Sequence, residues 1–322
     1  MPREMPTSSL HDPLLAWYAG HARDLPWRRP ARDAWGVLVS EVMLQQTPVE
    51  RVVPAWEAWL ARWPQPADLA ADSPGEAVRM WGRLGYPRRA LRLHAAAVAC
   101  VERFDGRVPA TYDDLRSLPG VGDYTAAAVL AFAHGRRAVV LDTNVRRVLA
   151  RLLGGSEHPS PSVTAAERAR AEAVLPDDDA TAATWSVATM ELGALVCTAT
   201  APGCGGCPVR GWCAWLAAGR PAYDGPARPV QRFAGTDRQV RGLLMAVLRE
   251  ADGPVAAPAL DAVWDDAVQR ARALDSLVAD GLVDPRPDGT FSLPGSGADR
   301  TPPAPDAPRA AHRSGAPPSG VR

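Results

Sequence analysis

The sequence predicts an all-α fold, on three observations. Apolar residues recur at helical spacing from residue 11 to about residue 220. Pro and Gly interrupt that pattern often, which cuts it into short helices. Strand-like runs are almost absent before residue 220.

The elements follow in order. Residues 1–10 carry no periodic pattern and are expected to be disordered. Residues 33–47, DAWGVLVSEVMLQQT, place Trp35, Leu38, Val39, Val42 and Met43 on one stripe, and Pro48 ends it. VPAWEAWLARW and RALRLHAAAVACVERF read the same way. TAAAVLAFAHG (125–135) is a small-residue helix with Gly near its end. A β-like run, AVVL, precedes the helix DTNVRRVLARLLG. Residues 177–196 form a helix with acidic residues at its start, where the helix dipole favours them. Residues 11–220 are thus one helical region. Residues 221–236 read as a linker. Residues 237–294 read as a smaller unit, a helix, a short helix and a longer helix followed by β-like pieces around a Gly turn. That order favours a winged-helix-like unit over a generic α+β cap. The tail from residue 295 is rich in Pro, Ala, Gly and Ser, and is expected to be disordered.

Composition narrows the function classes. With 322 residues, 47% of them apolar, the chain is large enough for one to three domains. No apolar stretch is long enough to span a membrane. The first residues lack a signal-peptide core, so the expected location is the cytoplasm. There, clustered cysteines read as a metal site rather than as disulfides. Net charge is +0, but arginines cluster at 28–29, 88–92, 136–137 and 146–151. Such patches serve phosphate contact or simply line solvated helix faces. Every one of the 36 basic residues is arginine. Schiff-base chemistry through a lysine side chain is therefore excluded.

Four constellations carry chemistry. Cys197, Cys204, Cys207 and Cys213 follow the spacing C-x6-C-x2-C-x5-C. Four thiolates can hold zinc or a [4Fe–4S] cluster. Zinc sites usually show two C-x2-C pairs with a long spacer, so the single pair favours the cluster. Cys100 stands alone in an apolar stripe and reads as a core thiol. LPGVGDYTAAA, with Leu118, Gly120, Val121 and Gly122, looks like the hairpin of a helix-hairpin-helix. Its backbone N–H groups at a helix start can grip a phosphate. LDTNVRRVL follows about 20 residues later, with Asp142 and Asn144. Asp142 is placed as a helix cap or as a working carboxylate. SEVMLQQT sets Glu41 among apolar neighbours. Either that Glu faces solvent, or burial raises its pKa and suits it to general-acid work.

The order of these pieces resembles the endonuclease III superfamily of DNA base-excision glycosylases. LPWR, SEVMLQQT, LGYPRRALRLH, LPGVGDYTAAAV and LDTNVRRVLAR together resemble its MutY-type adenine DNA glycosylase branch, over about residues 12–215. The resemblance implies two helical lobes with double-stranded DNA in the cleft between them. It implies removal of adenine opposite 8-oxoguanine or guanine by base flipping. Glu41 would protonate adenine N7, and Asp142 would stabilise the oxocarbenium-like sugar. Tyr124 and Asn144 would support them. Trp27, Arg28 and Leu44 would surround the adenine, and Gln46 and Tyr86 would wedge into the duplex. The four cysteines would hold a [4Fe–4S] cluster that fixes a loop, with Arg210 meeting a phosphate. Tyr124 stands where lyase-active relatives carry Lys, so a monofunctional enzyme is expected; a monomer associated with the nucleoid is expected as well. A thymine glycosylase acting on G·T mismatches is the nearest rival. A non-catalytic DNA-binding or redox-sensing cluster protein is a rival of another class.

Three departures stand out. Trp185-Ser186-Val187 does not match the family's Asn-led pattern, so no adenine contact carries over there. Pro87 replaces a frequent second Tyr. Residues 237–294 are too short and too helical for the Nudix-like domain with which many relatives recognise 8-oxoguanine. Preference for that base would then come mainly from the catalytic region or be weaker.

Overall fold

The computed structural model describes residues 8–29, 33–225 and 233–295. Helix α1 (Ser8–His21) starts inside the stretch expected to be disordered. Leu10 and Leu14 are the reason: both are buried in the core of the second lobe. Burying a leucine contributes roughly 2 kcal/mol. The earlier N-terminal residues, the middle of the expected linker (226–232) and the tail from residue 296 lie outside the described residues. Gly295, expected in the tail, is held by its N–H donating to Asp284 Oδ2 at 3.2 Å.

The first lobe comprises α2 (Ala34–Met43), α3 (Val49–Arg62), α4 (Pro66–Ala71), α5 (Pro74–Trp81), α6 (Arg88–Arg103), α7 (Tyr112–Arg116) and α8 (Asp123–Phe132). Asp33 caps α2 by accepting from the Gly36 N–H at 2.9 Å. The helix stops at Met43, short of the expected residue 47. Gln46 adopts a left-handed φ of 57°, which no helix continues through. Pro48 then caps α3 rather than ending α2. Gly36 lets α3 approach closely. A Cβ there would lie 3.2 Å from Trp56 Cζ2, and Trp56 Nε1 donates to the Gly36 carbonyl at 2.8 Å.

The second lobe joins α1 to α9 (Thr143–Leu152), α10 (Ala165–Ala173), α11 (Asp179–Leu195) and α12 (Ala214–Ala217). The expected β-like run 138–141 forms no strand. Val140 instead packs on the alanine face of α8, and Leu141 enters the second lobe's core.

The C-terminal elements are α13 (Asp237–Glu250), β1 (Val255–Ala256), α14 (Ala257–Asp261), α15 (Ala267–Ala279), β2 (Asp284–Pro285) and β3 (Thr290–Ser292). The antiparallel sheet has the order β1-β3-β2, with Val255 opposite Phe291 and Asp284 opposite Ser292. Val240, Leu244 and Leu277 share one apolar cluster with the first lobe. Arg79 donates to the carbonyls of Arg249 and Ala251, and Arg88 pairs with Asp280 at 3.1 Å. The unit is therefore firmly docked on α5 and α6.

The arginine clusters are mostly engaged within the fold. Arg29, Arg136, Arg137 and Arg146 pair with Asp24, Asp179, Glu172 and Glu167. Arg89, Arg147 and Arg151 are buried. Arg89, Arg147 and Arg151 therefore serve the interior, whereas Arg29 and Arg136 remain largely exposed beside their partners.

One ion-pair group ties the segment after α1 to α11. Glu191 is fully buried. It accepts from Arg23 Nε and Nη2, each at 2.8 Å, and from Arg28 Nη2 at 2.9 Å. Burial alone would raise its carboxyl, but the two guanidiniums outweigh burial and pull it from 4.5 down to about 2. The stabilisation is therefore fully present above 4.5 and is lost as pH falls toward 2. Glu191→Gln is expected to cost about 3 kcal/mol near neutral pH. Urea unfolding between pH 5 and 2 checks this. The parent should lose stability more steeply than the variant, and parallel curves would contradict the pairing.

Candidate active site

Glu41 lies on the inner face of α2 and is only 5% exposed. Its side chain lines a cavity of about 910 Å³ between the two lobes. The first lobe contributes Trp27, Arg28, Leu44, Gln46 and Tyr124 to that cavity, and the second contributes Asp142 and Asn144. The expected catalytic residues and adenine-pocket residues thus converge on one space. Tyr124 Oη donates to Glu41 Oε2 at 2.7 Å.

Burial raises the Glu41 carboxyl from 4.5 to about 7. The Tyr124 hydrogen bond and the Arg28 charge oppose that rise, while the Asp142 charge adds to it. Of the two sequence readings of Glu41, the buried one holds. Tyr124 is itself pushed well above 10 by burial and by the Glu41 and Asp142 charges, so it stays a neutral donor.

Asp142 is both a helix cap and part of the site. Its Oδ1 accepts from the Val145 N–H at 2.6 Å, and its Oδ2 accepts from Asn144 Nδ2 at 2.9 Å. Capping fixes where the carboxylate points. Burial raises its pKa, and the hydrogen bonds from Val145 and Asn144 hold that rise back.

Arg147, which the sequence reading did not single out, continues this chain of bonds. It donates to Asn144 Oδ1 at 2.7 Å, to the Gly193 carbonyl at 2.6 Å and to the Cys197 carbonyl at 2.8 Å. The carboxylate is therefore linked through two side chains to the start of the cysteine loop. Gly193 makes the approach of α9 to α11 possible. A Cβ at Gly193 would fall 2.7 Å from Asn144 Cβ and 2.9 Å from the Asn144 carbonyl oxygen.

Glu191 was also missed. It stands among apolar residues on α11, the same signal that picked out Glu41 on α2. The Trp185-Ser186-Val187 stretch is explained in part by packing, since Trp185 and Ser186 are buried and His11 stacks edge-on against Trp185 at 4.8 Å.

Two loops carry the expected wedge residues. Gln46 lines the cavity, whereas Tyr86 stands outside it. Both have left-handed backbones, with φ of 57° and 47°. Arg89, also unforeseen, clamps their loops together. Its Nη1 donates to the Gln45 carbonyl at 2.6 Å, and its Nη2 donates to the Gly85 carbonyl at 2.9 Å. In the hairpin, Leu118 and Val121 are buried anchors. Gly120 has φ of 78°, and a Cβ there would strike Arg92 Cβ at 2.7 Å. Gly122 caps α8 without any side-chain acceptor, and Asp123 stands in the first turn, paired with Arg116 at 2.7 Å.

Cys197, Cys204, Cys207 and Cys213 form no disulfide and line one small second cavity with Arg151, Arg210 and Trp215. No group of three or more His, Cys, Asp or Glu among the described residues is arranged to hold a metal ion. Arg151 is buried over the Trp215 ring at 4.7 Å and donates to Cys197 Sγ at 3.4 Å. Burial pushes Cys207 up to about 11. Arg210 is exposed at the edge of this cavity.

Residues 39–172 match the HhH-GPD superfamily of base excision DNA repair proteins. An adenine DNA glycosylase of Mycolicibacterium smegmatis is 53% identical over 285 residues, which is 88% of this chain and 96% of that protein. The chain belongs to the adenine DNA glycosylase family. A thermostable thymine-DNA glycosylase structure superposes with a TM-score of 0.60 at 26% identity, over 66% of this chain and 97% of that one. A non-covalent endonuclease III–DNA complex gives 0.56 at 22% identity, over 67% and 100%, and shows the shared fold.

For an adenine DNA glycosylase, the two carboxyls have distinct environments. One is apolar and keeps a proton near neutral pH. The other is also raised by burial, but donors from Val145 and Asn144 hold that rise back. Such a split is the usual route to an acid and a stabilising anion in one site. Placement of the second carboxyl depends on the α9–α11 contact at Gly193. Gly193→Ala is expected to overpack it and cost about 1–3 kcal/mol. Thermal unfolding checks this, and an unchanged midpoint would contradict the tight contact.

Proposed function

We propose that the protein releases adenine from double-stranded DNA during base excision repair, acting on adenine opposite 8-oxoguanine or guanine. The observation that carries this reading is Glu41, buried in the cavity between the lobes with its carboxyl raised to about 7.

The chemistry follows from that state. Adenine is extruded from the stack into the cavity. Neutral Glu41 gives its proton to adenine N7, and Tyr124 keeps the carboxyl aimed. The C1′–N9 bond breaks and its electron pair leaves with the base. Positive charge develops at C1′, and the Asp142 carboxylate stabilises it directly or by a transient covalent bond. Water then adds to C1′ and its proton passes to a carboxylate. The product is an abasic site, and with no lysine in the chain the reaction stops there. Thymine has no N7 to protonate, so Glu41 favours adenine over the thymine rival that shares the fold.

Cys197, Cys204, Cys207 and Cys213 would hold a [4Fe–4S] cluster. Support comes from four thiols around one cavity, spaced with a single C-x2-C pair. When bound, the cluster cross-links the loop, which would carry Arg210 to a DNA phosphate. No step of base release passes through it. The hairpin 118–122 grips the backbone without reading sequence.

Residues 11–220 would form the catalytic domain, 221–236 the linker and 237–294 a small winged-helix-like domain. The β1-β3-β2 sheet behind three helices supports the last assignment. Among the described residues no helix is long and apolar enough to cross a membrane. A monomer acting at the nucleoid fits this reading.

The test is single-turnover cleavage of duplexes with adenine opposite 8-oxoguanine, adenine opposite guanine, and thymine opposite guanine. Adenine release is expected from the first two alone. Glu41→Gln should slow it by about 10²–10⁴-fold. Because the protonated carboxyl is the active form, the rate should fall as pH rises through about 7. Release of thymine, or a Glu41→Gln variant as fast as the parent, would contradict the reading.

A further inference from the structure

Glu191 is a buried carboxylate that the base-release chemistry leaves unused. It lies on α11, fully buried, and its two oxygens divide their work. Oε1 accepts from the Arg23 backbone N–H at 3.0 Å and from Arg23 Nε at 2.8 Å. Oε2 accepts from Arg23 Nη2 at 2.8 Å and from Arg28 Nη2 at 2.9 Å. Arg23 is thus held by several bonds and Arg28 by one. Arg28 Nη1 is buried without an acceptor, so among the described residues Glu191 is the one hydrogen-bond anchor of this guanidinium.

The position of Arg28 gives that anchor its importance. Arg28 ends the short turn Pro26–Arg28, in the segment that crosses from α1 of the second lobe to α2 of the first. Trp27 packs edge-on against Trp56 of α3 at 5.8 Å, while the next side chain reaches α11. Adjacent residues therefore pin the crossover to both lobes. Arg28 also lines the cavity with Glu41, Tyr124 and Asp142. The polar groups that act on the Glu41 carboxyl are Tyr124 from α8, Asp142 at the start of α9 and Arg28 from the crossover. Those around the Arg28–Glu191 pair are Arg23 and Tyr18. Of the groups that act on Glu41, Arg28 is the cation, and its charge opposes the effect of burial.

An acid in an apolar cavity needs such a counterweight. Burial keeps the proton on Glu41, but a proton held too firmly is not given up to the base. A guanidinium free to turn into the open cleft is screened by water and loses most of its effect. We propose that Glu191 is a positioning residue for base release: it holds the Arg28 guanidinium at the cavity wall, where that cation keeps Glu41 a ready proton donor. This rests on the adenine-release reading above. Glu191→Gln tests it with little change of shape. The single oxygen of Gln would take the place of Oε1, which serves two donors of Arg23. Its amide N–H groups would then face Arg28, donor against donor. Arg28 is released, and Glu41 keeps its proton to higher pH.

The experiment follows single-turnover adenine release by the full chain from a duplex with adenine opposite 8-oxoguanine, across the fall-off in rate near pH 7. The variants are Glu191→Gln, Arg28→Met, the two combined, and Leu69→Ala. Leu69 is fully buried on α4 and does not line the cavity, so its loss costs stability without touching this group. All assays run below every unfolding midpoint. No release by the parent would overturn the function itself, and the titration of Glu41 by carboxyl ¹³C NMR would then test the proposal on its own. Given release, Glu191→Gln and Arg28→Met should each move the fall-off to higher pH by about half a pH unit or more. The combined variant should match Arg28→Met alone, because Glu191 acts through Arg28. Leu69→Ala should leave the fall-off in place. Should Glu191→Gln fail to fold, Glu191→Met with Arg23→Met removes the buried carboxylate together with its main partner, and should give the same upward move. A fall-off that stays or moves down when Glu191 is replaced would overturn the proposal. So would a further move when Glu191→Gln is added to Arg28→Met, or an equal move in Leu69→Ala.

Discussion

Removing one carboxyl from water is the constraint on which the site depends. Glu41 is seated where α2 meets the cavity, and its ionised form is disfavoured by about 3 kcal/mol relative to an exposed Glu. That cost is tolerated because the surrounding packing is strong. Gly36 lets Trp56 close against α2, and Tyr124 supplies a hydrogen bond at the one polar opening. Across the cleft, burial raises Asp142 as well, but donors hold that rise back. Backbone and amide donors favour its charge, and α9 fixes its direction. A cleft between two lobes lets one chain give two carboxyls such different surroundings at one site.

Buried and half-buried guanidiniums hold the parts of this cleft in register. Arg23 and Arg28 bind Glu191 and tie the segment before α2 to α11. Arg147 ties Asn144 to the start of the cysteine loop. Arg89 joins the loops that end α2 and precede α6. Arginine suits these places because its planar fork serves several carbonyls at once. The neutral overall charge of a DNA-binding chain then makes physical sense. Part of its positive charge is internal, at Arg89, Arg147 and Arg151, and many other arginines are paired with carboxylates.

The sequence made the site more legible than the element boundaries. Glu41 was visible because it interrupts an apolar pattern and Asp142 because it ends one, whereas Tyr124 and the role of Asn144 came with the family resemblance; the structure brings all four to one cavity. Asp142 was read as cap or as site, and it is both, since a capped carboxylate is a well-aimed one. The end of α2 was missed because nothing in QQT announces a left-handed Gln46. The AVVL run looked β-like because apolar runs of that length suit strands and buried coil equally. The arginine clusters were misleading for a different reason. Sequence neighbours on a helix point about 100° apart, so adjacent arginines at 146 and 147 find different partners, Glu167 and Asn144. Glu191 carried the same signal as Glu41, but its partners lie more than 160 residues away and only the fold supplies them.

The claim that Glu41 holds its proton near neutral pH is tested most directly by NMR. The protein would carry ¹³C at its glutamate carboxyls, with Glu41 assigned by the loss of its signal in Glu41→Gln. Titration of the free protein should show this carboxyl turning over near pH 7 while solvent-facing glutamates titrate near 4.5. A Glu41 signal that titrates with the exposed glutamates would mean that the carboxylate is charged at neutral pH. Glu41 could not then be the acid on which this account of the site depends.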